Sequence, residues 1–423
     1  MRIVADFHIH SPFARAVSKD MTLENLDHWA GIKGITVIGT GDFTHPAWIK
    51  EIKAKLELAE QGLYKLKIVP SLASHTAEAR IGTTRFILTV EISSIYSKGG
   101  KTRRVHNLIS FPSIESAEKF NAALGRQGNL KSDGRPIVGV SSKDLLKMAL
   151  DADSECFFVP AHIWTPWFSL FGSKSGFDAL EECFDEYSKH IYALETGLSS
   201  DPAMNWRLSA LDKYALISNS DSHSLRRLGR EANIIEADLS YQGIISAIKS
   251  KDPQRFLSTI EYFPEEGMYH YDGHRACGVR LRPEETKKNR GICSKCKKPV
   301  TIGVMSRVEE LADRPEGFRP PGAVPFRNMV PLDEIVAESL GMASATGKSV
   351  GAVYKKLVGE IGNELAVLFD CSRSDLAAVA SPEVAESILR VREGKLHIEP
   401  GFDGQYGKVR IFAKMDKIHI MKI

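Results

Sequence analysis

Across roughly the first 260 residues the hydrophobic positions repeat one kind of unit: a short β-branched run, a loop carrying His or Asp, then apolar residues at helical spacing. Short apolar runs bounded by turn residues read as strands, and a spacing of three to four reads as an amphipathic helix. Strands are therefore expected at residues 2–7, 34–39, 67–69, 85–90, 105–109, 156–159, 190–194 and 214–218. Helices are expected between them at 22–30, 47–59, 114–123, 142–150 and 204–213, and a helix at 235–249 closes the unit. Such alternation predicts an α/β fold with a parallel sheet or barrel, with catalytic residues at the C-terminal ends of the strands.

After residue 262 the texture changes. A Tyr/His/Gly-rich stretch, "YHYDGHRACG", leads into a basic loop, a cysteine pair and an Arg/Pro-rich segment at 314–331. From Asp333 onward helical spacing dominates, at 332–340, 350–361 and 382–391, and a strand-like run at 409–413 follows. Three units are expected: 1–262, 263–306 and a mainly helical 307–423. There is no internal repeat.

Composition adds exclusions. Hydrophobic residues at 43% and charged residues at 26% are ordinary for a globular chain, which argues against disorder and against a disulfide scaffold. No apolar run reaches the roughly 18 residues that span a bilayer, and Asp6 and His8 fall where a signal peptide needs apolar residues, so a cytoplasmic protein with no membrane partner is expected. The net charge of +3 is uneven: residues 266–305 carry +5, leaving −2 elsewhere. A basic patch beside a cysteine pair suits a phosphate backbone, whose neutralisation releases counterions.

The unusual residues follow the predicted strands. His8 and His10 leave the first, Asp42 and His45 the second, Glu91 ends "FILTV", His106 sits in "RRVHNLI", His162 in "FFVPAHIW", and Asp221 and His223 in "LISNSDSH". A His-x-His pair on an extended chain puts both imidazoles on one side. Nine such groups exceed the three or four protein ligands of one zinc, so two or three divalent ions (Zn, Mn or Mg) are implied. Clustered ions suit phosphoester hydrolysis, with Asp221, Glu91 and His106 as the candidate catalytic residues.

Cys293-x-x-Cys296 lacks the βαβ context of a redox pair, and His274-x-x-Cys277 supplies a second half sixteen residues earlier, so one structural zinc is expected; His270 or Asp272 are alternatives to His274. Cys156, Cys183 and Cys371 read as core residues. Trp164, Trp167, Phe168 and Phe171 share one loop beside His162 and are candidates for stacking on bases, with Lys174 near phosphate. Arg226, Arg227 and Arg230 follow Asp221 and are candidate phosphate clamps. "GMASATGKS" imitates a phosphate-binding loop but has Met342 where glycine is required, so it reads as a turn between helices and no nucleotide cofactor is expected.

The set "DFHIHS", Asp42, Glu91, His106, His162 and "SDSH" resembles the PHP (polymerase and histidinol phosphatase) superfamily. That resemblance implies a distorted (β/α)7 PHP barrel around a trinuclear metal site, followed here by a small zinc-binding module and a mainly helical C-terminal domain. It assigns His8, His10, Glu91 and Asp221 to a first ion, Glu91, His106 and His162 to a second, and Asp42 or His45 with His223 to a third. The chain departs from the superfamily pattern at Ala16, where a ligand type is usual, and at Phe43, where the second motif usually has histidine.

Over essentially the whole length, with "SDGRPI", "HIWTPWFSLFGSKSG", "ETGLSSDP", "RPPGAVPF" and "GFDGQYGKVRIF", the chain resembles the endonuclease Q family. This implies nicking of double- or single-stranded DNA on the 5′ side of a deaminated base (hypoxanthine, uracil or xanthine) or an abasic site, leaving 3′-hydroxyl and 5′-phosphate ends. Two other readings use the same residues: a PHP phosphatase or phosphodiesterase acting on a small metabolite, and a noncatalytic nucleic-acid-binding protein.

Overall fold

The computed structural model describes residues 1–67 and 84–412. Its centre is a mixed sheet in which strand Arg2–Asp6 lies between Val37–Gly39, parallel to it, and Ala232–Glu236, antiparallel. Val37–Gly39 continues in parallel to Arg85–Lys98, which forms a long hairpin with Lys101–Phe111 around Gly99 and Gly100. Phe157–Pro160 pairs with the second arm of that hairpin, and Ala193–Glu195 and Ala215–Ile217 form a separate parallel pair. The Asn233 side chain joins the last pair to the sheet: its Nδ2 donates to Ser218 O at 2.7 Å and to Ala5 O at 3.2 Å.

Helices cover this sheet where the sequence supplies caps. Thr22, Ser113, Ser141 and Ser240 each accept a backbone N–H in the first turn of helices Leu23–Lys33, Ile114–Leu124, Ser142–Ala152 and Tyr241–Ser250. Three expectations fail locally. The helix expected at 47–59 ends at Lys55, and Leu56–Glu60 turns back on Leu63–Leu66. Gly62 makes that turn at φ 74°, and a Cβ there would lie 2.4 Å from Tyr241 Cβ.

The helix expected at 204–213 shrinks to Pro202–Asn205 and a 3-10 turn, because its backbone is used elsewhere: Arg207 O accepts from Asp313 N and Arg314 N, and Ser209 N donates to Asp313. The helix expected from residue 235 begins at Tyr241, since Ile235 and Glu236 belong to a strand flanked on both sides. The strand expected at 67–69 lies beyond Lys67 outside the described residues, as does Ala413 of the expected last strand, observed as Lys408–Arg410.

The module near the cysteines is a hairpin, Asp272–His274 with Val279–Leu281, over a small core of Val279, Leu281, Cys293 and Val300. Helix Val304–Leu311 crosses the expected boundary at 306/307 and buries Val304 and Val308 in the main core. Strand Phe326–Asn328 then adds in parallel to Phe256–Glu261. Helices Leu332–Ser339, Lys348–Ile361, Arg373–Val379 and Pro382–Arg392 form a second core with Ala232, Ile234 and Ile260 of the sheet. A buried Lys33–Glu364 ion pair at 2.6 Å ties this unit to the first helix.

Candidate metal centre

The chain continues beyond strand Arg2–Asp6 in extended form, bridging Ile9 to Ser222. Ile9 therefore points into the core while His8 and His10 share the opposite side, facing the loop that carries Asp221 and His223. Glu91 and His106 come from the two arms of the long hairpin. In the register Glu91 opposes Leu108 and Ser93 opposes His106, so the carboxylate and the imidazole are diagonal neighbours on one face. His162 follows strand Phe157–Pro160. Asp42, His162 and Asp221 adopt left-handed backbone at φ 47°, 30° and 45°, a strained conformation for these residues that clusters at functional sites.

Two groups of side chains result, sharing Glu91: His8, His10, Glu91 and Asp221, and Glu91, His106 and His162, with candidate donor atoms in each within 4.8 Å of one another. Glu91 Oε1 lies 2.5 Å from His106 Nδ1 and 2.9 Å from His162 Nε2. Glu91 Oε2 lies 3.3 Å from His10 Nε2 and 3.5 Å from His8 Nε2. Asp221 Oδ1 is 3.2 Å from His10 Nε2.

Electrostatics and hydrogen bonding both favour cations here. Burial opposes a charged imidazolium, yet Glu195, Glu91 and Asp221 outweigh it at His8, as Asp42, Asp221 and Glu91 do at His10, and both titrate well above ordinary histidine. Burial holds His106 down at about 4. His8 Nε2, fully buried, makes no hydrogen bond. A buried nitrogen without a partner, aimed at two carboxylates, fits a divalent ion: imidazole and carboxylate together suit Zn or Mn.

Among the nine sequence candidates, Asp42, His45 and His223 join no such group among the described residues. Asp42 instead lies behind His10, accepting from His10 Nδ1 at 3.0 Å and from Ser11 N at 2.6 Å. His45 stacks on Phe13 at 4.4 Å, and His223 packs edge-on against His10 at 4.7 Å. A third ion held by these three is not assembled in the described residues. Glu195 was missed by sequence reasoning. It accepts from His8 Nδ1 at 3.0 Å, so that both His8 and His10 have Nδ1 fixed by a carboxylate and Nε2 directed at the centre. Arg135, in "SDGRPI", was also missed; its Nη1 is 3.0 Å from Glu91 Oε2.

His274, Cys277, Cys293 and Cys296 form a third group with donor atoms within 4.8 Å of one another. Backbone N–H groups of Cys296 and Lys295 pull the Cys293 thiol down to about 7. The alternatives to His274 are used otherwise: Asp272 accepts from Gly303 N and Ser306 Oγ at the start of a helix, and His270 is buried.

The expected DNA-contacting residues divide. Trp164 is 1% exposed and donates from Nε1 to Asn205 Oδ1 at 2.8 Å, and Phe171 packs on it at 5.0 Å, so both are core residues rather than stacking surfaces. Trp167 is 39% exposed and meets Tyr269 of the cysteine module at 5.7 Å. Phe168 packs on His106 at 4.9 Å, and Lys174 is exposed. Arg226 and Arg227 are paired with Asp333 and Glu334, and Arg230 donates to Ser220 O, so these guanidinium groups already have partners.

Comparison with known proteins gives consistent matches. A family described as the MJ0043 C-terminal domain matches residues 331–395. An uncharacterized protein of Methanocaldococcus jannaschii, MJ0043, is 35% identical over 258 residues, 58% of this chain but only 31% of that protein's length. An uncharacterized Bacillus subtilis protein, YqxK, is 30% identical over 97% of this chain and 99% of its own. A crystal structure of the lesion-specific endonuclease PfuEndoQ from Pyrococcus furiosus superposes with a TM-score of 0.84 at 30% identity, covering 99% of each chain. Endonuclease Q in complex with a 27-mer duplex carrying an abasic lesion at its active site matches with a TM-score of 0.83 at 31% identity, over 99% of this chain and 98% of that one.

Proposed function

Because this chain belongs to the endonuclease Q family, we propose that it is a metal-dependent DNA repair endonuclease that hydrolyses the phosphodiester 5′ to a deaminated base or an abasic site. The observation that carries the reading is the pair of donor groups meeting on one buried carboxylate, Glu91. Ions held there, by His8, His10, Glu91 and Asp221 and by Glu91, His106 and His162, would activate water and neutralise phosphate oxygens. The protein's own part is to prepare the donors. Glu195 and Asp42 hold the His8 and His10 tautomers, and Arg135 offsets the charge of Glu91.

Lesion selection follows from cost: extruding a base takes a few kcal/mol, less when it is mispaired or missing. Trp167 with Tyr269, next in the chain to the Phe168 that packs on His106 and bridging to the cysteine module, suits stacking on displaced bases in double- or single-stranded DNA. In this reading residues 1–262 are catalytic, 263–306 hold a structural zinc, and 307–423 contribute to DNA binding. Hypoxanthine, uracil and xanthine are the proposed deaminated bases. No helix among the described residues is long and apolar enough to cross a membrane.

Asp221→Asn tests the site: it keeps the side chain's shape but removes a charged ligand. Cleavage of lesion DNA should fall by about a hundredfold to a thousandfold, the scale of losing a transition-state electrostatic group, while duplex affinity stays within about threefold. An Asp221→Asn protein that cleaves at the wild-type rate refutes the assignment.

A further inference from the structure

Asp221 and His223 stand on a loop whose inner part is held by the N-terminal segment: His10 N donates to Ser222 O at 3.0 Å, Ser222 N to His8 O at 3.3 Å and Ser18 N to His223 O at 2.9 Å. Asp6 closes its base, accepting from Ser220 N and Gly229 N at 3.0 Å each. The outer half is a single 3-10 turn, Leu225–Arg227, too short to fix itself by its own hydrogen bonds. It is gripped from outside by the first turn of helix Leu332–Ser339. Arg226 places Nε and Nη2 at 3.2 and 2.6 Å from Asp333 Oδ2, and Nη2 also donates to Ala345 O at 2.8 Å. Arg227 Nη1 lies 2.5 Å from Glu334 Oε1.

The gripping helix is itself anchored. Glu364 accepts from Leu332 N at 3.2 Å and forms the buried pair with Lys33 of the first barrel helix. The outer turn of the loop is thus bonded to a unit that is itself anchored on the first helix and that begins where the matched family region 331–395 begins. A left-handed aspartate persists only where its surroundings determine it, and the turn that follows Asp221 is the part of those surroundings that contacts the C-terminal unit.

We infer that Asp333 and Glu334 are positioning residues: through Arg226 and Arg227 the C-terminal helical unit braces the outer turn of the Asp221–His223 loop, and so tunes the cation affinity of the Glu91 site. The inference rests on the reading of that site as a metal centre. It also explains why arginines so close to Asp221 are not available to phosphate.

The test uses the full-length protein stripped of barrel metal and titrated with Mn2+, followed by calorimetry and by the Mn2+ electron-spin signal. Glu334→Gln, the mild variant at a half-exposed position, and Asp333→Asn should each weaken Mn2+ binding about threefold to tenfold, less than the tenfold to hundredfold of partners that touch a ligand, because they act through an intervening arginine. They should lower kcat on lesion DNA with KM unchanged and reduce the Tm rise that Mn2+ produces. The exchanged pair Arg227→Glu with Glu334→Arg should recover most of the Mn2+ affinity. Wild-type Mn2+ affinity in both single variants, with only the metal-free Tm lowered, would overturn the inference and leave a purely structural contact. A wild-type protein that takes up no Mn2+ would sink the metal reading and this inference with it.

Discussion

Glu195→Gln is the most informative substitution at the centre, because it changes charge and donor pattern without changing shape. The Glu195 carboxylate is buried and receives three donors: His8 Nδ1 at 3.0 Å, His162 N at 2.9 Å on Oε2, and Asn219 Nδ2 at 2.8 Å on Oε1. A carboxamide has one acceptor oxygen. Turned toward His162 N, it leaves its NH2 facing Asn219 Nδ2; turned the other way, it faces the His162 N–H. Asn219 cannot flip to relieve this, since its Oδ1 already accepts from Phe7 N at 2.9 Å and Asn233 Nδ2 at 3.1 Å.

One buried donor is therefore left unsatisfied in either rotamer, costing about 1–3 kcal/mol of stability. His8 also loses the charge that fixes its tautomer, which should lower Mn2+ affinity about tenfold to a hundredfold, or ~1.4–2.8 kcal/mol. Calorimetric Mn2+ titration and thermal melts of the metal-free protein measure the two effects separately. A Glu195→Gln protein with wild-type Mn2+ affinity would refute the claim that Glu195 prepares His8 as a ligand.

Three further outcomes are expected. Trp164→Ala should cost about 3–5 kcal/mol of stability because the side chain is buried and hydrogen-bonded, whereas Trp167→Ala should leave stability within about 0.5 kcal/mol and weaken lesion-DNA binding by about 1–3 kcal/mol; melts and fluorescence anisotropy would expose the opposite pattern. Burial, reinforced by Asp201, raises Glu261 to about 8, and burial with Glu261 itself raises Glu231. The fold thus binds more protons than the unfolded chain, so this contribution is complete below the ordinary carboxyl range and is lost as pH climbs through about 8; the denaturation midpoint should fall over that window, and Glu261→Gln should flatten the fall. An unchanged slope in that variant would contradict the assignment. Cys293→Ser should release one zinc per chain by elemental analysis and open residues 263–306 to protease, with zinc content unchanged as the contrary result.

Much of the centre was legible because its geometry is local. The period-two spacing of His8 and His10 fixes their common side, and two x-x-spaced pairs announce the cluster of His274, Cys277, Cys293 and Cys296. Glu195 was invisible for the opposite reason: nothing in "ETGLSSDP" distinguishes a carboxylate whose three partners come from residues 8, 162 and 219. Trp164 and Trp167 look alike in sequence, and only the tertiary packing of Trp164 in the main core, with Asn205 accepting from it, separates the buried one from the exposed one. The helix expected at 204–213 has sound propensity but loses to contacts with Asp313 and Arg314, a tertiary override that no local window contains. Arg226 and Arg227 read as free cations because their partners lie more than a hundred residues downstream.

The central claim is tested most directly by incubating end-labelled duplexes, each with one hypoxanthine, uracil or abasic site, beside an undamaged duplex, with Mn2+ or Mg2+ and with chelator. The account predicts one nick immediately 5′ to the lesion, dependent on metal and absent from the undamaged strand and from the Asp221→Asn protein. Equal cutting of damaged and undamaged DNA, or turnover of a phosphomonoester with no nick at all, would contradict it.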